Sequence, residues 1–180
     1  AARAVSPGGM VLATDISASM IAVARERAGT AGLQNVEFME MDAEDLHVGN
    51  GSFDAVTNVY GLMFAADPTR ALAEAHRVLT RNGRIAVVVW DSIDKSPYFS
   101  VMTSVAARML DLPAPEPGAP GPFRFAAHAV LESQLTRSGF SSVTVESCPA
   151  VFECQSAAEY VRIFADVAWK AKITALPPAG

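Results

Sequence analysis

The sequence is poor in the residues from which most reactive sites are built. Of its 180 residues only two are cysteines and three are histidines, and Asp, Glu, Lys and Arg together make up 18%. Cys148 and Cys154 fit neither a redox CxxC nor a zinc knuckle, so two reduced thiols in a cytoplasmic protein are expected. His47, His76 and His128 are scattered, with no HExxH or similar ligand spacing, and no metal site is expected. The 14 basic residues stand against 19 acidic ones, a net charge of −5 with no Lys/Arg run. That excludes the basic footprint of a nucleic-acid binder and of an anionic-membrane binder. No apolar run approaches the ~18 residues of a membrane span, and Ala1–Gly9 lacks the apolar core of a signal peptide. What is plentiful is apolar side chain: 51% of the residues are hydrophobic, enough for one domain with a sizeable core.

Apolar runs alternate with helical periodicities along the first half. Met10–Thr14 reads as a strand buried on both faces, ending at Asp15. Ser17 caps a helix whose apolar positions are Met20, Ile21, Ala24, Ala28 and Ala31, and Gly32 stops it. Val36–Met41 reads as a strand near a sheet edge, because Glu37 and Glu40 interrupt it. Phe53–Val59 follows the turn Gly49-Asn50-Gly51-Ser52. Asp67-Pro68 starts a helix with Leu72, Ala75 and Leu79 on one stripe, closed by Asn82-Gly83. Arg84–Trp90 is a β-branched run of the kind found in central parallel strands. The expected fold is α/β, a mostly parallel open sheet with helices on both faces.

The alternation breaks after Trp90. Ser96-Pro97 opens a helix with Tyr98, Val101, Met102, Val105 and Met109, which reads equally as core or as a lid. Pro113, Pro115, Pro117, Pro120 and Pro122 make the next stretch a stiff loop. Ala129–Ser138 reads as a helix ended by Gly139. Val143 and Val145 begin a strand that Pro149 interrupts and Val151-Phe152 resumes. Ser156 and Glu159 form a capping box for a last helix carrying Tyr160, Phe164, Ala168 and Trp169.

In open α/β sheets ligands bind beyond the carboxyl ends of the strands. The residues at those places are Asp15, Asp42-Ala43, Asn58 to Tyr60, and Trp90-Asp91. Two carboxylates and an amide suit a nucleoside, since carboxylates accept hydrogen bonds from ribose hydroxyls and from an adenine amino group.

Several segments, in order, resemble the class I S-adenosylmethionine-dependent methyltransferases. Val11-Leu12-Ala13-Thr14-Asp15-Ile16-Ser17-Ala18-Ser19-Met20 resembles their second strand and turn, and Val36 to Leu46 their third-strand motif. Ser52-Phe53-Asp54-Ala55-Val56 and Tyr60-Gly61-Leu62-Met63-Phe64 resemble the fourth strand and its loop. His76-Arg77-Val78-Leu79-Thr80-Arg81-Asn82-Gly83-Arg84 is similar to the helix-to-strand turn R-V-L-K-P-G-G, with Arg81-Asn82 where the family often has Pro-Gly. The nearest group is that of the ubiquinone and menaquinone C-methyltransferases. The resemblance implies a Rossmann-like fold, S-adenosyl-L-methionine as cofactor and a small-molecule methyl acceptor. It implies that Asp15 accepts from the ribose hydroxyls, Ile16 packs on the adenine, Asp42 accepts from the adenine amino group and the Ala43 N–H donates to the ring. Asn58 is implied at the methionine moiety and Tyr60 near the reacting centre. No catalytic residue is named by it, because an in-line displacement at a sulfonium asks chiefly for alignment and exclusion of water.

The family's first strand and glycine-rich loop lie upstream of Ala1, so the chain is expected to be a piece of a longer one. In the family's sheet that strand lies between those at Met10–Thr14 and Asp54–Val59, which are therefore expected to have open edges. Residues 1–95 are expected to form the cofactor-binding part and residues 96–180 a variable substrate and lid region. A nicotinamide-dependent oxidoreductase is the rival enzyme. Its short-chain members need Tyr followed four residues later by Lys, and Tyr60, Tyr98 and Tyr160 are followed by Phe64, Met102 and Phe164. A non-catalytic, degenerate or truncated nucleotide-binding domain is the other alternative.

Overall fold

The computed structural model describes residues 1–110, 116 and 118–165. Its strands are β1 (Val11–Asp15), β2 (Val36–Glu40), β3 (Phe53–Val59) and β4 (Leu79–Val88). Its helices are α1 (Ala2–Val5), α2 (Ala18–Thr30), α3 (Pro68–Val78), α4 (Pro97–Leu110), α5 (His128–Arg137) and α6 (Ala157–Phe164). Pro113, Pro115 and Pro117 of the proline-rich stretch, and Ala168 and Trp169 of the last helix, lie outside the described residues.

The helix boundaries follow the local chemistry. Ser17 Oγ accepts from the Met20 N–H at 3.4 Å to start α2, and Gly32 leaves the helix at φ +68°. Asp67 accepts from the N–H groups of Thr69 and Arg70 at 3.0 and 3.1 Å, with Pro68 at the first position of α3. At α6, Ser156 Oγ accepts from the Glu159 N–H at 3.1 Å, while the Glu159 carboxylate reaches one residue past the cap to the Gln155 N–H at 2.7 Å.

The strands form two parallel pairs. β1 pairs with β2 from Val11–Val36 to Asp15–Glu40, and β3 pairs with β4 from Ala55–Arg84 to Val59–Val88. Among the described residues β1 is not hydrogen-bonded to β3, so the expected open edges are present and the two strands have not closed up. The outer edge of β4 is also unpaired there, so this strand is central in sequence character but not in pairing.

Helix α3 does not run to Asn82. It ends at Val78, because Leu79 turns to extended backbone and pairs with Phe53, and Thr80–Gly83 bulge out before the ladder resumes at Arg84. Gly83 fits that bulge because a Cβ there would stand 2.8 Å from Leu79 Cδ2 and 3.0 Å from the Thr80 oxygen. The β1 and β4 strands are not buried on both faces. Ile85, Val87 and Val89 pack on the core while Arg84, Ala86 and Val88 face outward. Finally, Val143–Phe152 forms no ladder and runs as irregular chain. On α2, Ile21 and Ala28 are buried as expected but Met20 is 55% exposed.

The core joins the halves. Leu62, Met63, Ala71 and Leu72 from the β3–α3 unit pack with Phe125, Leu131 and Leu135 around α5.

Candidate cofactor and acceptor site

Parallel pairing in register brings Asp15 and Asp42 to the carboxyl ends of neighbouring strands. The Asp15 main-chain oxygen accepts from the Met41 N–H at 2.9 Å, which fixes the chain just before Asp42. Each carboxylate builds its own turn with one oxygen. Asp15 Oδ1 accepts from the Ser17 N–H at 2.8 Å, and Asp42 Oδ1 accepts from the Glu44 N–H at 2.9 Å. The second oxygen of each has no protein donor among the described residues. Such a pair of fixed, half-used carboxylates suits the hydroxyl and amino donors of a nucleoside. Ile16, beside Asp15, is 68% exposed and offers an apolar surface to a ring. Ala43 is half-buried against the core and holds the strand-end loop in place.

That loop is anchored by charge. Arg77 on α3 donates to the carbonyls of Leu46 and Val48 and to Asn50 Oδ1 at 2.7, 2.8 and 2.7 Å, and to both oxygens of Glu74 at 2.7 Å. Glu74 in turn accepts from the Leu46 N–H at 2.8 Å. The bidentate hydrogen bond with Arg77 lowers the Glu74 pKa from 4.5 to about 2 against the cost of burial. Glu44, which reads from sequence as a solvated neighbour of Asp42, accepts from the Asp67 N–H at 2.9 Å and ties the loop to the start of α3.

Asn58 and Tyr60 follow β3. The Asn58 side-chain oxygen accepts from the N–H groups of Gly61 and Leu62 at 3.2 and 2.8 Å, so its carbonyl shapes the turn, and its NH2 has no acceptor among the described residues. Tyr60 has a left-handed φ of +59°, unusual for a bulky residue. It is held there by a hydrogen bond from its N–H to the Val88 oxygen at 2.9 Å and by stacking on Trp90, with ring centroids 4.3 Å apart and planes 15° apart. Such a conformation costs about 1–3 kcal/mol and persists where the surroundings over-determine it. Phe64 is 55% exposed and stands apart from this stack.

Beyond Tyr60 and Trp90 opens a cavity of about 1420 Å³ between the free edge of β4 and the irregular chain Phe140–Phe152. One wall is aromatic: Trp90 meets Phe99 edge-on at 4.8 Å, and Tyr98 stacks on Phe152 at 4.8 Å. Burial raises the pKa of the Tyr98 and Tyr160 phenols, and Tyr160 donates to the Tyr98 carbonyl oxygen. Asp15 and Asp42 do not line this space, whereas Tyr60 does. Asp91, which the sequence places at a strand end, lines this wall together with His128 and Ser147, two polar residues that sequence reasoning missed because they lie far from it in the chain. Cys148 and Cys154 are both exposed and unpaired with each other.

The chain is similar to known methyltransferases. A family described as "Methyltransferase domain" matches residues 1–87. The demethylmenaquinone methyltransferase of Thermus thermophilus is 33% identical over 145 residues, covering 76% of this chain and 66% of that protein. The ubiquinone/menaquinone biosynthesis C-methyltransferase UbiE of Sinorhizobium fredii is 44% identical over 81 residues, covering 44% of this chain and 31% of that protein. The chain thus spans from about a third to two thirds of the length of these relatives. Among solved structures, the YcgJ protein of Bacillus subtilis superposes with a TM-score of 0.63 at 20% identity, over 95% of this chain and 69% of that one. A SAM-dependent methyltransferase from Aquifex aeolicus gives a TM-score of 0.57 at 18% identity, over 77% of this chain and 62% of that one. At such identities the two structures speak for the fold, which is Rossmann-like. The chain is thus similar to the class I S-adenosylmethionine-dependent methyltransferases, and the two relatives named are those of menaquinone and ubiquinone biosynthesis.

Proposed function

We propose that this protein transfers a methyl group from S-adenosylmethionine to a small, largely apolar ring compound. The observation that carries the reading is the juxtaposition of Asp15 and Asp42 at adjacent parallel strand ends, each with one oxygen fixed by its own turn and one left to accept. Asp15 takes the ribose hydroxyls, Asp42 the adenine amino group, Ala43 N–H a ring nitrogen, and Ile16 one face of the base. Asn58, with its amide oxygen committed to the turn, offers its NH2 to the methionine end. Bound cofactor supplies a methyl carbon already activated by the positive sulfur. The chain's own work is to align that carbon with the acceptor and keep water out. Tyr60 and Trp90 suit this task, because stacked aromatic faces attract a cation and exclude solvent. The Thermus relative is named for a demethylmenaquinone, and the aromatic wall of the cavity favours an acceptor of that quinone type. Residues 91–180 hold the acceptor in this reading, and residues 1–95 hold the cofactor.

The test is calorimetric. S-adenosylmethionine and S-adenosylhomocysteine are expected to bind and NADH is not. Asp15→Ala is expected to remove about 1.5–3 kcal/mol of binding, a loss of roughly tenfold to a hundredfold in affinity. Unchanged affinity in that variant sinks the assignment of Asp15, and tight NADH binding sinks the methyl-transfer reading.

A further inference from the structure

Three polar groups converge where the cavity meets the end of β4. Ser147 Oγ donates to Asp91 Oδ2 at 2.9 Å, and His128 Nε2 lies 3.1 Å from the same Ser147 oxygen. Asp91 follows Trp90, whose ring stacks on Tyr60. Tyr60, Trp90, Asp91, His128 and Ser147 all face one cavity. The chain of hydrogen bonds has only one sense. Asp91 is held as a carboxylate, its pKa lowered by the Ser92 N–H first and then by the Ser147 hydroxyl and Lys95. A carboxylate only accepts, so the Ser147 hydroxyl proton points at Asp91. The lone pair left on Ser147 then accepts from His128, which calls for a proton on Nε2, and in the neutral ring the lone pair is then on Nδ1.

We infer that His128 is the base that takes the proton of the methyl acceptor through Nδ1, held in that tautomer by Ser147 and Asp91. The inference rests on the methyl-transfer reading and adds to it the acceptor's chemistry: a phenol, quinol or carbon acid that still carries its proton at neutral pH. A base is needed only for such acceptors. In the step, the acceptor's O–H or C–H proton passes to Nδ1 and that bond's electron pair forms the new bond to the methyl carbon. The methyl–sulfur electron pair goes to sulfur, which becomes a neutral thioether. The imidazolium still donates through Nε2 to Ser147 and sits one hydroxyl away from the Asp91 charge. His128 is exposed, so its proton returns to solvent. Sequence reading passes over this histidine because its partners lie 37 residues before it and 19 after it.

The experiment uses 1-naphthol as a stable hydroxylated ring and follows the His128 ring nitrogens by 15N NMR. Without naphthol, His128 is expected as the Nε2–H tautomer. Ser147→Ala is expected to mix the tautomers and Ser147→Thr to restore the single one, which a merely structural role for Ser147 would not do. Naphthol is expected to move the Nδ1 resonance. His128→Gln is expected to weaken naphthol about tenfold, the loss of one good hydrogen bond, with S-adenosylhomocysteine affinity and melting temperature unchanged. An Nδ1–H tautomer overturns the inference. So does an absence of naphthol binding to the unaltered protein, or equal binding to the His128→Gln protein. The S-adenosylhomocysteine titration reports on the methyl-transfer reading by itself, so the two failures are separable.

Discussion

Between Val11 and Val88 the backbone is bound into two strand ladders and two side-chain-capped helices, whereas between Trp90 and Ala165 no described residue joins a ladder and the joints are aromatic rings. In the first region the fixed groups are backbone N–H and C=O, whose geometry is narrow, so Asp15, Asp42, Asn58 and Tyr60 end up at set places. In the second, Tyr98, Phe99, Phe152, Tyr160 and Phe164 contact one another at centroid distances from 4.8 to 6.1 Å and at many angles. Ring contacts tolerate such variety. The first region is therefore fixed by backbone geometry and the second by side-chain packing.

The comparison breaks if the two regions unfold separately. Leu72 and Phe164 are each 1% exposed, one in each region. Leu72→Ala is expected to cost about 2–5 kcal/mol and Phe164→Ala about 3–5 kcal/mol. Because Leu72 packs in one cluster with Leu131 and Leu135, both variants are expected to lower one shared calorimetric transition. Two resolved transitions, each sensitive to one variant, would make the halves independent.

A smaller effect sharpens the role of the anchor in the first region. Arg77→Ala takes the guanidinium from Glu74, which keeps only the Leu46 N–H, and from the Leu46 and Val48 carbonyls, at an expected cost of about 2–3 kcal/mol by chemical denaturation. Glu74 also sets a pH dependence. Its folded pKa of about 2 lies below the ordinary 4.5, so its contribution is complete above about pH 4.5 and is lost as the pH falls toward 2. Glu74→Gln is expected to flatten acid destabilisation within that window. An unchanged acid profile would mean that the pair adds nothing.

The smallest effect belongs to the second region. Ser156→Ala removes the cap of α6, worth about 1 kcal/mol. It is expected to speed amide exchange in 157–164 while leaving exchange in β3 and β4 as it was. Faster exchange throughout would show that α6 is as integral as the ladders.

Most helix boundaries of both regions could be read residue by residue. Ser17, Gly32, Asp67-Pro68, Ser156 and Gly139 act on neighbours within a few positions, so the chain alone shows them. The end of α3 misled for a physical reason: Leu79 fits a helical stripe, and only pairing with Phe53 turns it into strand. Val143–Phe152 misled in the opposite way: its side chains favour a strand, but propensity makes none where the backbone pairing is not formed, and this segment stays off the free edge of β4. The spaced motifs around Asp15, Asp42 and Tyr60 were legible because each sits at a strand end, where order along the chain fixes position in space.

By itself, the sequence determined the α/β class, the helix starts, the strand-end acids and the family resemblance, all of which rest on local propensity and on order along the chain. The tertiary structure decided which strands share a ladder, the left-handed Tyr60 locked on Trp90, the Arg77 anchor beneath the Asp42 loop, and the meeting of Asp91, Ser147 and His128. Each of these depends on groups separated by tens of residues, and only packing around a common core sets the distance between such groups.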